Sequence, residues 1–150
     1  MHIFLIGGTE EERIRLAMTL ASEDTGSMVS SFSWVREAAA LLAKQDSIVL
    51  PGQRDPATVI ARPEPTLILL DGDSQIVDWV DGYRRLHTMV PNARIVLLSR
   101  DHGRAVKAYE EGMWDYILKP VKPQQLRRVL NKAAALDRIQ TGSAIESIAR

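Results

Sequence analysis

Five short apolar runs set the architecture this chain can adopt, because each is followed by a segment of helical period and none is long enough to be a helix itself. The runs predict strands at about 2–6, 28–32, Leu67–Leu70, Arg94–Ser99 and 115–118. Strict alternation of strand and helix is what a parallel sheet wrapped by helices requires. The four consecutive aliphatics at 95–98 fit a strand covered on both faces. At 150 residues with 45% hydrophobic content, the chain can close one core, and one compact domain is expected.

The connecting segments carry helix punctuation. Thr9-Glu10-Glu11-Glu12 has capping-box spacing, and Ile14, Ala17, Met18 and Ala21 follow at i, i+3, i+4, i+7, predicting one buried stripe. Ser33 is a candidate cap for a second helix burying Trp34, Ala38, Leu41 and Leu42. A third helix falls within 75–89, where Asp81-Gly82 reads either as a preceding loop or as an interruption. A fourth, near 103–111, stops at Gly112. The fifth starts at about Pro123, ends near Arg138 and buries Leu126, Val129, Leu130 and Ala133.

Composition narrows the function. Nineteen basic residues balance nineteen acidic ones, so net charge recommends neither direct nucleic-acid binding nor an anionic membrane. The absence of cysteine excludes disulfides and thiolate chemistry. Ile3–Ile6 is too short for a signal-peptide core or a membrane span, so a soluble cytoplasmic protein is expected. There is no nucleophile–base constellation for an independent enzyme, and His2, His87 and His102 lack metal-ligand spacing.

The informative residues end the strands: Asp71 after the third, Ser99 after the fourth, Lys119-Pro120 after the fifth. Open parallel sheets bind ligands beyond the carboxyl ends of their strands. In this order, "LILLDGD", "IVLLSR" and "DYILKP" resemble the receiver domain of bacterial response regulators over roughly residues 2–138. The resemblance implies a doubly wound, five-stranded, flavodoxin-like (CheY-like) α/β sandwich. It also implies a phosphoacceptor role for Asp71, phosphate-sensing roles for Ser99 and Lys119, and a switch role for the aromatic Tyr116. Each residue also has a plainer reading, Asp71 as a turn or cap residue, Ser99 as a loop cap, and Tyr116 as a half-buried core aromatic. Trp79 and Trp114 fit either core or interface.

The chain departs from the family's pattern where a metal would bind. Receivers place two acids after the first strand to hold Mg2+, and here Gly7-Gly8 stands there. With Asp71 and Lys119 alone, the pocket is expected to be near neutral. Mg2+ relies on carboxylate oxygens, so no cofactor is expected. Glu10, Glu11 and Glu12 lie too late to replace the pair and fit the start of a helix, where acids favour the dipole. Gly72-Asp73-Ser74 replaces the usual apolar-Pro pair, and Arg100 takes the place of a small residue, either blocking the pocket or adding charge.

The expectation is therefore an atypical receiver, or pseudo-receiver, that regulates an attached output module through the face made by helix four, strand five and helix five. That face also suits a homodimer, with acids Asp101, Glu110, Glu111 and Asp115 preceding bases Lys119, Lys122, Arg127 and Arg128. Two alternatives stay open. One is a working phosphorelay receiver phosphorylated on Asp71 by a histidine kinase. The other is a nucleotide or small-ligand regulatory domain, suggested by glycines at a helix's positive end, although full phosphate-loop motifs are absent. Residues 46–65 read as a long insertion with hairpin signals. Residues 139–150, breaking at Thr141-Gly142-Ser143, read as a linker toward an output domain.

Overall fold

The structure, a computed structural model, describes residues 1–24, 26–45, 64–74 and 78–148, with side chains along the last helix described as far as Leu136. The elements run β1 (His2–Ile6), α1 (Glu10–Glu23), β2 (Met28–Phe32), α2 (Val35–Gln45), β3 (Leu67–Asp71), α3 (Trp79–Met89), β4 (Arg94–Ser99), α4 (Gly103–Glu111), β5 (Asp115–Leu118) and α5 (Pro123–Ile148). All strands are parallel, in the order β2-β1-β3-β4-β5. This is the expected doubly wound α/β fold.

Register fixes what meets at the carboxyl edge. Ile6 pairs with Leu70, Asp71 with Leu98, and Ser99 with Leu118, so Gly7, Asp71, Ser99 and Lys119 emerge side by side. The strand order turns back between β1 and β3, the switch point at which such sheets open a crevice.

Two apolar layers clamp the sheet. Phe4, Ile68, Leu70, Ile95 and Leu97 pack against α2, α3 and α4 through Ala38, Leu42, Leu86 and Ala108. On the other face Leu5, Leu69, Val96 and Leu98 pack against Leu20 of α1 and Leu126, Val129 and Leu130 of α5. Side chains alternate between these layers because successive strand residues point to opposite faces.

Several helical expectations need correction. Leu20 is fully buried, with Leu16 and Ala17 partly buried beside it, whereas Ile14 and Met18 are 53% and 69% exposed. The chain holds two overlapping stripes, and the one that faces α5 begins at Arg13, whose polar side chain disguised it. In α2, Val35, Ala38, Ala39 and Leu42 are buried, while Trp34 precedes the helix and Leu41 sits at the surface. Ser33 accepts from Arg13 through its hydroxyl.

Asp78 caps α3, so Asp81-Gly82 lies inside the helix, and Gly82 allows close approach to Val35. Trp79 and Trp114 each pack partly buried against a core layer. The helix α5 continues to Ile148 through Thr141-Gly142-Ser143, where a break was expected. Within the 46–65 segment, residues 46–63 lie outside the described residues. Among the described residues, no helix is long and apolar enough to cross a membrane.

Candidate functional site

Asp71 closes β3 and turns the chain. Its Oδ1 accepts from the backbone amides of Asp73 (2.8 Å) and Ser74 (3.1 Å), which makes it a turn cap. Its Oδ2 pairs with the Lys119 ammonium. The plain reading of Asp71 as a turn residue is what these contacts show, and the same carboxylate faces the Lys119 ammonium.

Lys119 is the hub of the pocket. Its backbone amide donates to the Ser99 carbonyl at 2.9 Å, continuing the β4–β5 ladder, and the following Lys119-Pro120 peptide is cis. The side chain is only 6% exposed, and besides Asp71 its Nζ meets Glu12 Oε2 at 2.9 Å and Asp73 Oδ2 at 3.4 Å. Burial alone would lower its pKa, but hydrogen bonds and charge from Asp71 and Glu12 outweigh it and raise the value. Lys119 is therefore a fixed cation.

Glu12 corrects one expectation from the sequence. It forms the expected cap, its amide donating to the Thr9 hydroxyl at 3.1 Å while Oε1 accepts from that hydroxyl at 3.3 Å. Its other oxygen, however, reaches the pocket. Partial burial pushes the carboxyl up, but Lys119 and Thr9 more than offset this and hold it below the ordinary value. The pocket therefore contains three carboxylates, of Glu12, Asp71 and Asp73, instead of one.

The second group brought in by folding is Asp73. Its Oδ1 accepts from the Ser99 hydroxyl at 2.6 Å and the Arg104 guanidinium at 2.7 Å, and its Oδ2 accepts from the Arg100 amide at 3.0 Å. The Arg100 side chain, 69% exposed, lies 3.7 Å away, so its backbone donor is the closer contact. Burial acts to raise the Asp73 pKa. The Ser99 hydroxyl, the Arg100 amide and the Lys119 charge outweigh it and depress the value.

Tyr116 ties this cluster to α4. Its hydroxyl donates to the Asp101 carbonyl at 2.6 Å and lies 3.3 Å from that of Ser99. The Asp101 amide in turn donates to the Ser99 hydroxyl at 3.1 Å.

Gly7 and Gly8 have φ values of +85° and +74°, a region other residues avoid. A Cβ on Gly7 would lie 3.0 Å from the Asp71 Cβ, and one on Gly8 3.1 Å from Asp71 Oδ2. The turn is pinned by the Arg13 guanidinium, which donates to the carbonyls of Gly7 (3.3 Å) and Gly8 (2.6 Å), while the Gly7 amide donates to the Phe32 carbonyl. Among the described residues, no group of three or more Asp, Glu or His side chains is arranged to hold a metal ion.

This fold recurs in solved structures. A response regulator receiver domain protein from Clostridium thermocellum superposes with a TM-score of 0.70 at 18% identity, covering 93% of this chain and 98% of its own. The chain has a receiver-like fold. A pilus assembly-related protein from Burkholderia pseudomallei shares this receiver-like fold with a TM-score of 0.67 at 15% identity, covering 90% of each chain. A LuxR family DNA-binding response regulator from Silicibacter pomeroyi follows at 0.64 and 21%, covering 89% of each. No family model and no curated protein sequence matches the chain.

The receiver-like edge brings together Asp71, Ser99, Lys119 and, through its hydroxyl, Tyr116. Sequence reasoning missed Asp73 and Arg104 as partners, and it missed Arg13 as the clamp on the glycine turn. The one available signal was a second acid two residues beyond a strand-ending Asp, next to the expected anion sensors.

Proposed function

We propose that this chain is a receiver-like signalling domain whose state is set without Mg2+-dependent phosphorylation of Asp71. The observation that carries this reading is that both Asp71 carboxylate oxygens are engaged, one by two backbone amides and the other by Lys119. Attack on phosphorus needs a carboxylate lone pair aimed at the donor, with cations spread over the transferring oxygens, and here the contacts of both oxygens are made within the chain. The donor set does not fit Mg2+. An ammonium sits among the carboxylates, and side chains at Gly7 or Gly8 would crowd Asp71 at positive φ.

The state passes to an attached output through the α4–β5–α5 face. There Val106 and Tyr109, 63% and 58% exposed, lie three residues apart on α4. Charge pairing across that face contributes less than the sequence suggested, because Lys119 is buried, Glu111 binds Arg84, Arg127 binds Glu23 and Asp115 lies near Arg128. That the solved structures of similar fold include a DNA-binding response regulator supports the reading in which the domain acts on an attached output.

The test is Asp71→Asn in cells carrying a reporter of the output. Retained regulation with an intact fold is expected. Loss of regulation in a folded variant would favour phosphorelay from a histidine kinase.

A further inference from the structure

The donors around Asp73 form a compact oxyanion site. The Ser99 hydroxyl, Arg100 amide, Arg104 guanidinium and Lys119 ammonium converge on one carboxylate at 2.6, 3.0, 2.7 and 3.4 Å. Ser99 is fully buried and the Lys119 side chain nearly so. Donors and cations gathered in this way are costly without an acceptor, and a loop carboxylate needs far fewer partners.

We infer that Asp73 is a tethered ligand, filling in cis the place where a phosphoryl oxyanion would meet Ser99 and Lys119. The inference rests on the receiver-like reading of those two residues and adds how the site is controlled. The tether is short. Asp73 follows Asp71 by two residues, and its own amide donates to Asp71 Oδ1 at 2.8 Å, so one residue both occupies the nucleophile and fills the anion site.

Gly72 makes the placement possible. A Cβ there would lie 2.9 Å from Leu97 Cδ1 and 3.2 Å from its Cγ, so glycine lets the turn lie against β4 without displacing Leu97, and its carbonyl accepts from Arg104. A ligand held this way has a high effective concentration and excludes free anions. From the filled site, hydrogen bonds run through the Arg100 and Asp101 amides to Tyr116, which holds the start of α4 as a bound anion would.

The test is a titration of isotope-labelled wild type, Asp73→Ala and Asp73→Ser with inorganic phosphate, against chloride at matched ionic strength, following the Arg100 and Asp101 amide resonances. Wild type is expected to show no saturable phosphate shift. The two variants are expected to saturate with a midpoint about tenfold or more below the highest phosphate concentration at which wild type stays unshifted, and adding Ser99→Ala is expected to abolish that response. Variants that respond no more than wild type would overturn the inference. So would a saturable shift in wild type, which decides the matter even if neither variant folds. Phosphorylation of Asp71 by a small phosphodonor would instead overturn the proposed function, and these titrations do not measure it.

Discussion

The Asp73 carboxylate accepts a hydrogen bond from the Ser99 hydroxyl at 2.6 Å, so the strand-end donor expected to meet a phosphoryl group already holds an anion from its own chain. Lys119 links this contact to Asp71 and Glu12, which makes the edge of the sheet one closed network of charges.

Removing the hub has a clear consequence. Lys119→Met leaves three carboxylates facing one another without their shared cation, and unpaired buried charge is costly. A loss of about 3 kcal/mol in denaturant unfolding is expected. Lys119→Met combined with Asp71→Asn should recover part of it, because one of the uncompensated charges is gone.

The network also sets how stability depends on pH. The Asp73 and Glu12 carboxyls lie below their ordinary values of 3.8 and 4.5, so their contribution is full above those values and is lost as pH falls through the lower folded ones. Lys119 lies above its ordinary 10.5, so its contribution is full below that value and is lost as pH rises through the higher folded one. Thermal unfolding across pH should show a plateau bounded by these windows. Asp73→Asn should flatten the acid limb.

Placing an acid after β1 should not create a metal site. Gly8→Asp places a side chain at φ +74° and a Cβ 3.1 Å from Asp71 Oδ2. The expected result is a loss of about 1–3 kcal/mol with no gain in Mg2+ affinity by calorimetry.

The route from pocket to α4 is tested at Tyr116. Tyr116→Phe removes the hydroxyl that donates to the Asp101 carbonyl, at a cost of about 1 kcal/mol. Hydrogen exchange at the Asp101 amide, which donates to Ser99, should accelerate while the β3 amides remain unchanged.

The fold was legible because its signals are local. Apolar runs gave β1, β3, β4 and β5, Gly112 ended α4, and Pro123 opened α5 as read. The face of α1 was misread because the buried stripe starts at Arg13, and only the tertiary structure shows that guanidinium reaching the Gly7 and Gly8 carbonyls. At the site, Asp71, Ser99 and Lys119 were legible because a parallel register delivers strand ends together. Asp73, Arg104 and the inward oxygen of Glu12 were not, because their roles depend on a turn packed against Leu97 and on where the first turns of α4 and α1 point.

The most direct measurement is intact mass spectrometry of the folded protein after incubation with acetyl phosphate and Mg2+, beside an Asp71→Asn control. An unchanged mass in both is the expected result. A phosphoryl adduct on the wild type that the control lacks would contradict the account.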